Sequence, residues 1–398
     1  MKILMLTPYV PYPPSSGGQI RTLNLLKYLS KNNAITLVAL YKSDKEKDYF
    51  FHLKTYCKNI YLCRRPEKPW KLNTISKAIF SLSPFLVIRN FSYDAKKTVS
   101  QLLKQTHFDV IHAETFYIMP HIPKTNIPIL LVEQTIEYKV YQHFVNSLFF
   151  LLRPFLSLDI LKLKYWERFY WRKANLVAAV SSSDEKIINQ LEPKTKTTII
   201  PNGAGDEMIA KRLKAKDFRH PTILFQGNFY WLQNVEAALF LINNIYPLLT
   251  KKLPHLQIII SGQNAKKLKI KKSSSLKIID NQPEDQELVK NYFQKATIFI
   301  APIFGPGGTR LKILAAMAAG IPVISTKTGL EGLAIVNEKH ALVAHTAQEF
   351  ASQIIRLLNN KQLYEQIRTQ AYGLIKEKYN WKKISEKLEQ VYHYIEKK

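Results

Sequence analysis

The sequence predicts an α/β protein made of two consecutive doubly wound units, and three observations carry that reading. The chain is 398 residues long, more than one hydrophobic core usually supports. Its N-terminus reads strand, Gly-containing loop, helix, strand. A second series of alternating strand and helix patterns begins at Thr222.

In the first series, Lys2–Leu6 is a short, mostly apolar run ending in a Pro/Ser/Gly loop that reaches Gly18. Ile20, Leu23, Leu26 and Leu29 then recur at helical spacing, and Ala34–Leu40 is strand-like. Asp109–His112, Ile129–Val132 and Leu176–Val180 are further strand candidates. Pro201-Asn202-Gly203 signals a turn near the join, which places the domains at 1–200 and 201–379. In the second series the strands are Ile223–Phe225, Gln257–Ser261, Ile298–Ala301 and Val323–Ser325. Asn234–Leu249, Asp285–Lys295 and Thr309–Ala319 are the helices between them. The chain closes on helices at Gln348–Leu358, Lys361–Lys378 and Lys382–Ile395, with 380–398 expected to cross back to the first domain. Open α/β sheets take ligands at the carboxyl ends of their strands, so two facing domains imply a central cleft.

Composition narrows the class. Hydrophobic residues are 46% and charged residues 22%, the balance of a globular enzyme rather than a disordered chain. Cys57 and Cys63 cannot staple a chain this long, and no His/Cys cluster has zinc spacing, so no metal and a cytoplasmic location are expected. The formal charge of +28 is spread over both halves and favours polyanions or anionic surfaces, or reflects lysine-rich composition; no nucleic-acid signature accompanies it. No segment is apolar and long enough to span a membrane. Phe144–Leu161, rich in Phe and Leu and followed by Lys162, Lys164, Arg168, Arg172 and Lys173, has two readings. It is a core helix covering the first sheet, or an amphipathic element that docks peripherally on an anionic inner membrane face.

The most informative segment runs from Gly305 to Thr326. A strand leads through Gly305, Gly307 and Gly308 into a helix, with Thr309, Arg310 and Lys312 at its start. Glycines permit close backbone approach, and free N–H groups with the helix dipole favour an anion. Cations at a helix N-terminus oppose that dipole, so a use such as binding diphosphate is indicated.

The run GGTRLKILAAMAAGIPVISTKTGLEGL resembles the nucleotide-binding segment of glycosyltransferase family 4, retaining sugar transferases of the GT-B fold. TPYVPYPPSSGGQIR, FDVIHAE, VEQTIEY, ANLVAAVSSSD, IIPNG and QGNFYWLQNVEAA follow in the family's order. The last resembles a subgroup associated with bacterial polysaccharide assembly. The resemblance implies a nucleotide-diphosphate sugar bound mainly by the C-terminal domain and a glycan or glycolipid acceptor bound by the N-terminal one. It implies no cofactor and no metal, so protein groups stabilise the leaving diphosphate. Arg310 and Lys312 fill that role, with Gly307, Gly308, Thr309, Gly227, Asn228 and Glu331 on the donor, and Gly17 and Gly18 opposed across the cleft. Gln134 takes the place of a family histidine near the transferred sugar. Arg21, His112 and Glu133 lie on the acceptor side; Arg21 reads equally as a surface helix residue and Glu133 as a cap or salt-bridge partner.

Three departures stand out. The family's pair of glutamates would fall on Gly307 and Ala315, and Ala315 cannot bond a ribose. Gln134 cannot take a proton near neutral pH. A basic pair after the first strand of the nucleotide domain is replaced by amides and aromatics over Gly227–Asn234, of which Tyr230 or Trp231 is expected in the core. A catalytically impaired relative acting as a glycan- or partner-binding module is therefore the alternative. Sugar-nucleotide epimerisation lacks the expected carboxylate and histidine.

Overall fold

The computed structural model describes residues 1–66, 72–270 and 273–397, which divide into two compact units. One comprises Met1–Pro201 with Ile384–Lys398, the other Asn202–Lys383. The sequence placed the corresponding boundaries at 200/201 and 379/380.

The N-terminal unit holds seven strands: β1 (Lys2–Thr7), β2 (Ala34–Tyr41), β3 (Asn59–Arg64), β4 (Val110–Glu114), β5 (Ile129–Glu133), β6 (Leu176–Ala179) and β7 (Thr197–Ile199). They pair in parallel in the order β3-β2-β1-β4-β5-β6-β7. Order reverses between β1 and β4, the place where a doubly wound sheet opens for a ligand. β1 and β4 are buried almost end to end because helices cover both faces, which is why they read as continuous apolar runs. Leu4, Leu6, Val38, Ile111, Ala113, Leu131 and Val177 form one core with Trp171.

The C-terminal unit holds β8 (Thr222–Gln226), β9 (Gln257–Gly262), β10 (Leu276–Asp280), β11 (Ile298–Ala301), β12 (Val323–Ser325) and β13 (Leu342–Val343), again parallel, in the order β10-β9-β8-β11-β12-β13. The helix expected over Asn234–Leu249 is three pieces. Leu232–Phe240 and Tyr246–Thr250 are α-helical, and Leu241–Ile245 between them is a π-helical turn. The helix expected from Thr309 starts at Leu311.

The segment Phe144–Leu161 is not a simple core helix. Helix Arg153–Lys173 buries Leu163, Tyr170 and Trp171 but exposes Leu158, Leu161 and Tyr165, and Phe149, Phe150 and Leu151 before it are exposed too. Lys162 Nζ donates to the carbonyls of Ala78 and Ser81 at 2.8 and 2.7 Å, and Trp166 Nε1 to that of Leu82 at 2.9 Å. These bonds bring the exposed Phe80 and Leu82 to the same apolar face.

Candidate functional site

In the C-terminal unit, the carboxyl ends of β8, β9 and β11 carry the glycine-containing loops. β9 ends at Gly262, whose φ is +146° and where no side chain fits. A Cβ there would lie 1.7 Å from the Gly227 carbonyl oxygen. Gly227 in turn keeps open the place Lys312 occupies: a Cβ would stand 2.9 Å from Lys312 Nζ. Lys312 Nζ donates to Asn234 Oδ1 at 2.6 Å and lies over the Phe225 ring, 5.0 Å from its centroid. Burial, with the neighbouring Arg310 charge, pushes this ammonium down to about 7. A cation that is costly when free is ready to accept an anion.

Arg310 caps the helix Leu311–Ala318 without a side-chain cap bond, and its Nη2 donates to the Gly305 carbonyl at 2.8 Å. The guanidinium therefore lies over its own loop. At Gly307, where φ is +146°, a Cβ would meet Arg310 Nη1 at 2.3 Å. A glutamate at 307 would be strained at this φ and would also have to move the arginine tip. Thr309 Oγ1 is buried without a hydrogen-bond partner, a polar atom whose partner a bound phosphate can supply.

Asn228 is committed elsewhere. Its Nδ2 donates to Gln263 Oε1 at 2.9 Å, and its Oδ1 accepts from the Tyr230 N–H and from Asn264 Nδ2. It shapes the loop after β8 rather than offering a free amide. Tyr230 and Trp231 are both exposed, and the aromatic of this loop that enters the core is Phe229. The Phe229 N–H bonds the Gln263 carbonyl at 2.9 Å, which holds this backbone against the loop after β9. After β12, Gly329 N–H bonds Thr326 Oγ1 at 2.9 Å, and Glu331 follows in an exposed turn.

In the N-terminal unit, Arg21, His112 and Gln134 converge on one carboxylate, Glu114, at the end of β4. Arg21 Nε lies 3.5 Å from Glu114 Oε1, His112 Nε2 3.0 Å from the same oxygen, and Gln134 Nε2 donates to Oε2 at 2.6 Å. Burial alone would raise Glu114, but the Arg21 charge and the His112 and Gln134 bonds hold it at about 2. An ionised Glu114 only accepts, so His112 donates through Nε2 and accepts at Nδ1 from Tyr392 Oη, 2.5 Å away. Tyr392 is buried and its phenol is pushed well above the ordinary range, so it keeps that proton. Arg21 is not a surface residue. It is fully buried, with Nη1 on the carbonyls of Ile200 and Pro201 at 3.2 and 3.1 Å.

Gln134 Nε2 also donates to Tyr9 Oη at 2.9 Å. Both its amide hydrogens are thus used, and Oε1 remains as its accepting atom. Tyr9 lies over Gly18, where a Cβ would be 2.5 Å from its hydroxyl. Gly17 and Gly18 open the helix Gly17–Leu29, capped by Ser16. Glu133 does not join this group. Side chains alternate along β5, so Glu133 faces the core, where Oε1 accepts from Trp171 Nε1 at 2.9 Å. Glu167 there accepts from the N–H groups of Glu137 and Tyr138. Among the described residues Glu133 is neither a salt-bridge partner nor a cap; the capping carboxylate is Glu167.

The sequence reading missed Glu114, Tyr392, Tyr9 and Gly262 as site residues. Glu114 had a visible signal, the acidic end of FDVIHAE. Tyr392 lies far along the chain from its partner and had none. Among the described residues, no group of three or more His, Cys, Asp or Glu is placed to hold a metal ion.

Comparison with known proteins places these features. Residues 15–207 match the model for Glycosyltransferase Family 4, and residues 220–360 that for Glycosyl transferases group 1. The chain belongs to the family 4 glycosyltransferases. This glycosyltransferase is 23% identical over 401 residues to an uncharacterized 44.6 kDa protein in the cps region of Klebsiella pneumoniae, covering 96% of this chain and 97% of that one. Its fold is similar to sucrose-phosphate synthase from Thermosynechococcus elongatus, with a TM-score of 0.75, 13% identity and coverage of 99% and 98%. Anabaena HepE in complex with UDP-glucose is similar at a TM-score of 0.66, 13% identity and coverage of 99% and 100%. The two parallel-sheet Rossmann-like units are those of a GT-B glycosyltransferase. No helix among the described residues is long and apolar enough to cross a membrane.

Proposed function

We propose that this glycosyltransferase moves a hexose-type sugar, with retention, from a nucleotide-diphosphate sugar to a glycan or lipid-linked acceptor during assembly of a cell-surface polysaccharide. The donor binds the C-terminal unit and the acceptor the N-terminal unit. One observation carries the donor assignment. Lys312, Arg310 and the unpartnered Thr309 Oγ1 gather beside a glycine loop and a helix start with no side-chain cap. UDP-glucose in the Anabaena relative and the cps region of the Klebsiella relative support the same reading.

As the bond from the sugar's anomeric carbon to the phosphate oxygen breaks, negative charge grows on the leaving diphosphate. Arg310 and Lys312 are fixed beside that position before reaction, so they stabilise it without reorganisation. The acceptor oxygen bonds the anomeric carbon on the same face, and its proton passes to the departing phosphate oxygen; no protein base is required. Gln134, with both amide hydrogens engaged, uses Oε1 to accept a sugar hydroxyl. The two protein cations meet the charge demand, so transfer continues in chelator. The exposed Phe149, Phe150, Leu151, Leu158 and Leu161, with the basic charge of the chain, support peripheral docking on an anionic membrane. Co-sedimentation with anionic and neutral vesicles tests this, and equal or absent binding to both refutes it.

The donor assignment is tested by thermal shift with UDP, GDP, ADP and their sugars, because a ligand of the native state raises its melting point. One base is expected to shift it and to support transfer. No shift with any nucleotide refutes the reading. Binding without turnover, in the native chain and in Ala315→Glu, favours a glycan-binding module.

A further inference from the structure

A second polar cluster lies in the N-terminal unit, apart from Glu114. β2 and β3 run in register with Tyr41 opposite Arg64, so Lys42 and Arg65 leave the sheet side by side at its carboxyl edge. Arg65 N–H still bonds the Tyr41 carbonyl at 3.0 Å, which continues the ladder one residue. The Arg65 guanidinium donates to Asn90 Oδ1, and Asn90 Nδ2 donates to the Leu86 carbonyl at 2.7 Å. That bond ties Arg65 to the helix Phe85–Asn90, which carries Arg89 next to Asn90.

The Arg89 guanidinium lies over the Phe85 ring, 6.0 Å from its centroid, close enough for its charge to act on both Lys42 and Arg65, so three cations share this edge. Among the described residues, Lys42, Arg65 and Arg89 form no carboxylate ion pair within 4.0 Å. Arg65 Nε is buried and has no hydrogen-bond partner. The nearest carboxylates are differently engaged: Glu46 accepts the Lys42 backbone N–H at 2.9 Å, and burial holds Glu137, which faces Arg89, at about 7. Tyr117 faces both guanidiniums and is pushed up by burial, so it stays a neutral phenol. Two of the three register their neighbours: burial, then Arg65 and Arg89, lower Lys42, and burial with Arg89 brings Arg65 to about 10. Two half-buried guanidiniums beside a third cation are maintained only where something repays their desolvation, and the carboxyl ends of parallel strands are where such sheets take ligands.

We propose that Lys42, Arg65 and Arg89 form an oxyanion site that holds a phosphate or carboxylate of the acceptor. This rests on the assignment of the acceptor to the N-terminal unit. Two planar guanidiniums and one ammonium match an oxyanion in charge and in donor geometry. A neutral sugar at the same place leaves the cations as they are, so the site selects acidic acceptors.

The test is calorimetric titration of the full chain at low salt with glucose 1-phosphate, glucuronate and methyl glucoside, and separately with UDP. Both anionic probes, or one of them, are expected to bind at least tenfold tighter than the neutral one; which one does so identifies the acceptor's acidic group. Arg65→Gln and the exposed Lys42→Gln should each weaken anion binding about fivefold to tenfold and leave UDP unchanged. Lys312→Met should have the opposite pattern. Retained UDP binding shows that the variants are folded. Anion binding that survives Arg65→Gln and Lys42→Gln, or equal affinity for all three probes, overturns the proposal. Loss of the nucleotide reading alone, with no UDP binding but anion binding sensitive to Arg65, leaves this site standing.

Discussion

Replacing Lys312 by Met should stabilise the free protein and abolish nucleotide binding together. In the folded chain Lys312 is held at about 7, against an ordinary 10.5. Between those values the unfolded chain binds more protons than the folded one, so stability rises as pH climbs through the window and is lost as pH falls toward 7. At about 1.4 kcal/mol per pH unit, the whole window amounts to at most about 5 kcal/mol. Met keeps the chain length and packs over Phe225, but it leaves Asn234 Oδ1 without its donor, which costs about 1–3 kcal/mol. A net gain of at most about 2–4 kcal/mol remains, or about 4–16 °C in melting temperature for a domain of this size. Melting curves from pH 6 to pH 10, with and without UDP, read both effects. The gain should be largest at and below pH 7 and fade above pH 10, and the UDP shift should vanish. A Met variant that is less stable at pH 7, or that keeps its UDP shift, refutes the reasoning.

Other perturbations test separate parts of the structure. Ala315→Glu restores a ribose partner on the helix Leu311–Ala318 and should tighten UDP binding about tenfold to a hundredfold by calorimetry, the worth of one charged hydrogen bond. Burial, then repulsion from Glu167, raises Glu133, so its contribution is present at acid pH and is lost as pH rises past the ordinary carboxylate value. Glu133→Gln should therefore raise the melting temperature at pH 8 and change little at pH 4.5. Tyr392→Phe removes the donor to His112 Nδ1 and should destabilise the protein by about 1–3 kcal/mol in denaturant titrations, with UDP binding unchanged.

The sheets were legible where burial on both faces produces apolar runs, as in β1, β4 and β11. β3 and β7 were missed because they are only partly buried: β3 alternates with exposed polar residues, and β7 is three residues long with no fully buried position. β10, Leu276–Asp280, was missed for the same reason. Lys312 and Arg310 were legible because a cation at a helix start conflicts with the dipole and therefore asks for an explanation. Glu133 was misplaced because adjacent residues in a strand point to opposite faces: Gln134 reaches Glu114, while Glu133 turns to Trp171 and the core. Period two was available in VEQTIEY, but a motif read as a unit conceals it. Gly262 is invisible as a requirement in the sequence, since only the approach of the Gly227 carbonyl shows that no side chain fits.

The two units handle charge in opposite ways, and the contrast yields a further test. Arg21 and Glu114 are buried as a pair, held by the Ile200 and Pro201 carbonyls, His112 and Gln134. Such a pair holds Gln134 and His112 in place but has little left to offer a ligand. Lys312 instead bonds a neutral amide, Asn234, so its charge is not neutralised locally. Asn234→Asp should convert the second arrangement into the first. A carboxylate in place of the amide, about 3 Å from the ammonium, forms a charge-assisted bond and returns Lys312 toward its ordinary range. The free protein should then melt higher at pH 7, and the arriving diphosphate should meet a carboxylate as well as a lysine. UDP affinity should fall by at least tenfold, and its decline between pH 6 and pH 9 should flatten, because Lys312 no longer loses its proton in that interval. Unchanged affinity with the same pH profile would mean that Lys312 does not meet the diphosphate.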